Sequence, residues 1–258
     1  MDGFIPLMFG RTLAKIAASI PSAWKYKAVR LQPLYTRFMR LGQPTVVVHT
    51  EAGQFLWVLD GLTSQGIVLG TYEPYMQAAL RRFLKPGAIF YDIGAHAGFH
   101  SFFGAQLVAP GGRVFAFEPN PGSQQSIARQ ISANPHLQVT VVPYAALDRC
   151  GAVRFNASGD QSQGHVGDDG SIIVEARTLD ALVIDGGFPA PSVMKVDVEG
   201  SELAVLQGAF ALITKHHPVV LCDYNDDATF ATVSKQLQPL GYLVDQGPPV
   251  IAVPSSRT

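Results

Sequence analysis

From residue 88 to residue 254, short apolar runs alternate with stretches of helical spacing, and this alternation does most to limit what the chain can fold into. The runs AIFYDIG, GRVFAFE, QVTVVPYAAL, VMKVDVEG and HPVVLCDYND have the length of strands and are rich in β-branched and aromatic residues. Between them lie helix patterns at about 98–108, from Asn120-Pro121 onward, at about 201–213 and at about 228–238. Strands joined through helices re-enter a sheet in the same direction, so the pattern predicts an α/β fold: a mostly parallel sheet with helices on both faces. The closing runs GYLVDQ and PVIAVPS predict an antiparallel hairpin at the sheet's C-terminal end.

One stretch breaks the rhythm. Residues 151–177 read as a hairpin, VRFNA and SIIVEAR, around the polar loop SGDQSQGHVGDDG, an insertion expected to border a site. Ahead of the alternation, residues 45–71 form a small β prelude of TVVVHT, QFLWVLD and GIVLG, followed by a helix from Glu73 to Leu84 with Pro74 in its first turn. The domain proper is expected over 72–258.

Residues 1–44 differ again. Arg11, Lys15, Lys25, Lys27, Arg30, Arg37 and Arg40 stand against the single acid Asp2, with Leu13, Ile16, Ile20 and Trp24 at helical spacing. A basic amphipathic helical extension of this kind suits an anionic membrane surface, a cap on the domain or a homodimer contact. Over the whole chain charge is nearly balanced: the net charge is −1 and the pI about 6.6, which gives no broad attraction for a nucleic-acid backbone. Two cysteines make neither a disulfide framework nor a zinc site. With basic residues interrupting the first apolar stretch and no long apolar run, a cytoplasmic protein that acts on a small molecule is expected.

The chemistry concentrates at the predicted strand ends. Phe90-Tyr91-Asp92-Ile93-Gly94-Ala95-His96-Ala97-Gly98 runs from a buried strand through a Gly-x-x-x-Gly turn into a helix, where the backbone of an open α/β sheet meets its ligand. The spacing departs from the G-x-G-x-x-G of dinucleotide binding. Glu118 ends the next strand, 26 residues after Asp92, and can take both hydroxyls of a ribose, while Asp92 can face the amino group of a methionine moiety. Two carboxylates suit a cationic nucleoside and would repel a pyrophosphate, which favours S-adenosylmethionine over NAD. Either acid alone would be explained as a helix cap.

The segments YDIGAHAGFHS, GGRVFAFEPNPGS, VVPYAALDRCG, TLDAL, MKVDVEGSELAVLQGA and HPVVLCDYND resemble the successive motifs of the FkbM-type methyltransferase family, over roughly residues 72–225. The resemblance implies a class I, Rossmann-like, seven-stranded methyltransferase domain that uses S-adenosylmethionine. It also implies an O-methyltransferase acting on a hydroxyl of a sugar or secondary metabolite. By it, Asp92, Gly94, Ala95, His96 and Gly98 form the cofactor loop, Glu118, Pro119 and Asn120 hold the ribose side, and Ala145, Ala146 and Asp148 lie near the adenine. His96 stands where the family commonly has Asn, and Asp223 where it commonly has Glu; both changes bear on the acceptor side.

Methyl transfer needs alignment and removal of the acceptor's proton, and no covalent nucleophile. The side chains of Lys195 and Asp197 share one face of their strand and Glu199 begins the next turn. Asp197 or Glu199 is expected to touch the acceptor hydroxyl or its metal, with a structural ion pair between Lys195 and Glu199 as the competing reading. Asp197, Asp223 and Asn225 offer three hard oxygens to Mg²⁺, against which Asp223 reads equally as a solvated acid at a helix entry. His165, in the insertion, is a base able to close over an acceptor, or a surface histidine with no role. Two readings outside methyl transfer stand beside this one: a nicotinamide-dependent oxidoreductase, and a non-catalytic membrane-associated or dimeric adaptor that keeps the fold.

Overall fold

The computed structural model describes residues 44–157, 164–223 and 227–257. The basic N-terminal segment and Asn225 lie outside the described residues, as do residues 158–163 of the insertion's polar loop. No helix among the described residues is long and apolar enough to cross a membrane.

The described chain begins with a hairpin of β1 (Thr45–Thr50) and β2 (Gly53–Val58), then a short helix α1 (Gln65–Leu69) and α2 (Pro74–Phe83). The run GIVLG, expected as a strand, is therefore helical. The reason is local: the Ser64 side chain accepts the Ile67 N–H at one end, and Gly70 closes the other in a left-handed conformation. The alternating part follows as β3 (Ile89–Ile93), α3 (Phe99–Val108), β4 (Arg113–Phe117), α4 (Pro121–Ala133) and β5 (Val139–Val142). The insertion holds β6 (Ala145–Ala146), β7 (Gly151–Asn156), β8 (His165–Val166) and β9 (Ile172–Arg177). The chain then completes β10 (Val193–Val196), α5 (Glu202–Gln207), α6 (Phe210–His216), β11 (Val219–Cys222), α7 (Asp227–Leu237), β12 (Tyr242–Asp245) and β13 (Val250–Pro254).

Seven strands form the central sheet in the order β12-β13-β11-β10-β3-β4-β5. The five from β11 to β5 are parallel, and β13 pairs antiparallel with both β11 and β12, as the closing hairpin required. The order reverses beside β3, so the carboxyl ends of β3, β4, β10 and β11 open onto one crevice. The expected single helix over 201–213 is broken in two. At Gly208 an added Cβ would come within 1.9 Å of the Leu147 carbonyl oxygen, and that close approach to the end of β6 ends α5.

Apolar side chains fill both faces of the sheet. One core joins Phe90, Phe102, Phe103 and Ile127 to Val48, Trp57, Met76 and Leu80, so the β prelude shares the domain's core and is not a separate unit. The other packs Val205, Leu212, Val233 and Leu237 against Tyr91, Met194 and Val220.

Two buried amides on α4 complete the open edge of β2. Gln130 accepts the Val58 N–H at 2.7 Å and donates to the Val58 carbonyl at 2.9 Å; Asn134 does the same for Leu56 at 2.8 and 2.7 Å. Each amide stands in for a neighbouring strand. Gln130→Leu keeps the volume and strands both Val58 groups in an apolar setting, so urea unfolding is expected to show a loss of about 2–4 kcal/mol. A loss near zero would mean that the hairpin does not depend on this bond.

Candidate active site

The crevice at the strand ends holds a cavity of about 280 Å³. Ile93 and Gly94 from β3 and its turn, Phe117 and Glu118 from β4, Asp197 beyond β10 and Asp223 beyond β11 all line it. Gly94 has φ 80, and an added Cβ there would stand 1.8 Å from the Asp197 carbonyl oxygen, so no other residue allows the β3 turn to pass so near β10. His96 follows with φ 50, a left-handed conformation that carries strain in a residue with a Cβ.

Glu118 is 6% exposed, and both its oxygens are engaged: Oε2 accepts the His96 N–H at 2.7 Å and Oε1 the Asn120 N–H at 2.8 Å. Burial pushes its carboxyl up to about 7, against the pull of these two N–H groups. Each oxygen keeps a further lone pair, and Glu118 lines the cavity. Pro119, Asn120, Ala145 and Ala146 line it as well. Ala95 and Gly98 support the turn from below without lining the cavity, and Asp148 is out on the surface, 38% exposed and paired with Arg149 at 3.0 Å.

Asp92 lies elsewhere than expected. Its side chain is 1% exposed and does not line the cavity. It accepts from Ser101 Oγ at 2.6 Å and pairs with Lys195 Nζ at 3.2 Å. Lys195, 2% exposed, also pairs with Asp197 at 3.1 Å and donates to the Gly94 carbonyl at 3.2 Å. Burial alone would lower the ammonium's pKa, but Asp197, Asp92 and Glu73 outweigh it and hold Lys195 protonated. Lys195 is thus a buried cation that ties the ends of β3 and β10 together, and it keeps its proton. Its partners are Asp92 and Asp197, not Glu199, which lines the cavity beside Asp197 with φ 51.

His165 does not line the cavity either. Gly164 and Val166 do, while the imidazole turns to Asp169 at 3.3 Å, because alternate residues of the two-residue strand β8 point opposite ways.

The acidic part of the lining contains a residue that the sequence did not single out. Glu73, immediately before α2, lines the cavity and lies with Asp197 and Asp223 so that one carboxylate oxygen of each is within 4.8 Å of the others. Its φ is 44. Burial raises its pKa; Lys195 opposes this and Asp197 adds to it. Tyr72 bonds to Glu73, and Tyr75 donates to Asp223 Oδ2 at 3.2 Å. The one available signal was an acid placed directly before a proline at N1 with no capping bond to make, a position that reads by default as an ordinary helix start.

A family model described as the methyltransferase FkbM domain matches residues 92–244. The hexuronic acid methyltransferase AglP of Haloferax volcanii is 35% identical over 124 residues, which cover 46% of this chain and 49% of that one. The 31-O-demethyl-FK506 methyltransferase FkbM of Streptomyces tacrolimicus is 30% identical over 157 residues, covering 61% of this chain and 48% of that one. The chain thus spans about half the length of these curated relatives. Among solved structures, the methyltransferase FkbM of Methylobacillus flagellatus KT superposes with a TM-score of 0.50 at 16% identity, over 89% of this chain and 60% of that one, a likeness of fold.

Proposed function

We propose that this chain, which belongs to the FkbM methyltransferase family, transfers a methyl group from S-adenosylmethionine to a hydroxyl of a sugar or another small hydroxylated molecule. The observation that carries the reading is Glu118, a buried carboxylate at the end of β4 that closes one end of a cavity whose other end is acidic. The names of the two relatives support the acceptor class: one is a hexuronic acid methyltransferase, the other acts at an oxygen.

The residues fit that cofactor. Glu118 is pre-set by two backbone N–H groups to receive a ribose diol, and Gly94 and His96 line the cavity with it. Ala145 and Ala146 leave room for a flat base. S-adenosylmethionine, when bound, supplies a methyl already activated on a sulfonium. The chain then has three tasks: to bind, to align the acceptor and to take its proton. In this reading Glu199 takes the proton; Asp197, held by Lys195, and Asp223 orient the acceptor's oxygens and would hold a Mg²⁺, which when bound would supply a Lewis acid for them. Asp92 acts from beneath by fixing Lys195.

Cofactor affinity should depend on pH through Glu118. Its carboxyl is raised to about 7, and the ionised form is the better acceptor for two hydroxyls, so affinity is lost as pH falls through 7 and is level above it. Calorimetric titration with S-adenosylmethionine is expected to give a Kd about tenfold weaker at pH 6 than at pH 8. A Kd independent of pH over that range would remove Glu118 from the ribose, and absence of binding to folded protein would overturn the reading.

A further inference from the structure

We propose that Glu73, Asp197 and Asp223 bind one hard divalent cation, Mg²⁺ or Mn²⁺, at the acceptor end of the cavity, with Glu73 as the ligand that completes the site. This deepens the methyl-transfer reading and rests on it for the cation's role. Glu73 precedes the residues 92–244 that match the family domain, so the third ligand comes from outside them, from the residue just before α2.

The spacing suits such an ion. Oxygens bound at about 2.1 Å to an octahedral cation lie about 3 Å apart when adjacent and about 4.2 Å when opposite. The three carboxylates are already gathered within 4.8 Å and need only a small closure.

A second observation stands apart from the carboxylates. Oε2 of Glu73 and Nε2 of His100 are both buried, and neither has a hydrogen-bond partner. They lie 3.7 Å apart, and the His100 side chain is 5% exposed. That separation is too wide for a hydrogen bond. A cation bound at Glu73 would give its buried, unpartnered oxygen a partner.

The resident cation acts on Glu73 through space but forms no ion pair with it. An ammonium has three N–H bonds, and Lys195 directs its three contacts to Asp92, Asp197 and the Gly94 carbonyl. Tyr72 reaches Glu73 with a phenol, which brings no positive charge. A divalent ion at this point would neutralise Glu73 and Asp223 together and hold open positions for two acceptor oxygens, lowering the pKa of the one to be methylated. It would also tie the start of α2 to the ends of β10 and β11.

The test is a Mn²⁺ titration of the full chain followed by the electron paramagnetic resonance of free Mn²⁺, with calorimetry of S-adenosylmethionine in EDTA run on the same samples. Wild type is expected to bind one Mn²⁺ per chain, displaced by excess Mg²⁺, and Glu73→Gln to bind it at least tenfold more weakly while retaining S-adenosylmethionine. Asp223→Asn should weaken it likewise and carries the test if Glu73→Gln fails to fold. Wild type that binds S-adenosylmethionine but no stoichiometric Mn²⁺, or folded variants that bind Mn²⁺ as wild type does, would overturn the site and leave methyl transfer standing. Mn²⁺ bound through Glu73 in protein that takes no S-adenosylmethionine would support the site and refute the methyl-transfer reading.

Discussion

Glu118→Ala is expected to weaken S-adenosylmethionine binding by roughly a hundredfold or more, the largest effect on the cofactor of any single change in the cavity. The magnitude follows from the chemistry of a carboxylate with two hydroxyls. Each hydrogen bond to a charged acceptor is worth about 1.5–3 kcal/mol, and every 1.4 kcal/mol is about tenfold in affinity. Alanine also frees the His96 and Asn120 N–H groups that Glu118 now receives, so the turn itself loses its anchor. Glu118→Gln keeps the side chain's bulk and one acceptor oxygen but sets its NH2 against one of the two backbone N–H groups, so it should loosen the turn less than alanine does and still lose most of the affinity. Calorimetry on both variants, with circular dichroism to verify the fold, distinguishes them. Binding by Glu118→Ala within a few-fold of wild type would place the ribose elsewhere.

Lys195→Met should cost about 3–5 kcal/mol of stability, because it leaves the buried Asp92 carboxyl without its cation at the end of β3. For a chain of this size that is a fall in melting temperature of roughly 10 °C. The cost is that of an abandoned charge more than of a lost attraction. The double variant Asp92→Asn with Lys195→Met removes both charges and should recover more than half of the loss in thermal unfolding. If the double variant were no more stable than Lys195→Met, the energy would lie in the packing of the lysine's stem, not in the pair. Ser101, which donates to Asp92 at 2.6 Å, would still serve an amide oxygen there.

Much of this architecture follows from pattern alone. Strand-length apolar runs separated by helices specify a parallel sheet, and the strand-end positions of Glu118, Asp197 and Asp223 follow from where those runs stop. The side chains' neighbours do not. Asp92 and Glu118 are equivalent as acids at strand ends, and the difference between them comes from Lys195, which is remote in sequence and lies opposite Asp92 in the paired register of β10 and β3. No local signal carries that pairing. His165 lies in a loop that does border the cavity, yet a rotation of one residue along β8 turns its ring away and Val166 inward. The run GIVLG is apolar and β-branched, and its flanking Ser64 and Gly70 decide the outcome as helix caps. Glu73 escapes for the opposite reason: an acid before Pro74 matches an everyday helix start, and only the tertiary fold brings it against Asp197 and Asp223.

The account stands or falls on which atom receives the methyl group. The direct measurement is transfer of label from methyl-labelled S-adenosylmethionine to uronic acids and amino sugars, the latter presenting hydroxyls and an amine in one molecule, with the labelled position assigned by nuclear magnetic resonance. The prediction is a single O-methyl ether, formed faster with Mg²⁺ and lost in Glu118→Ala. Label on the amine nitrogen with every neighbouring hydroxyl untouched would contradict it.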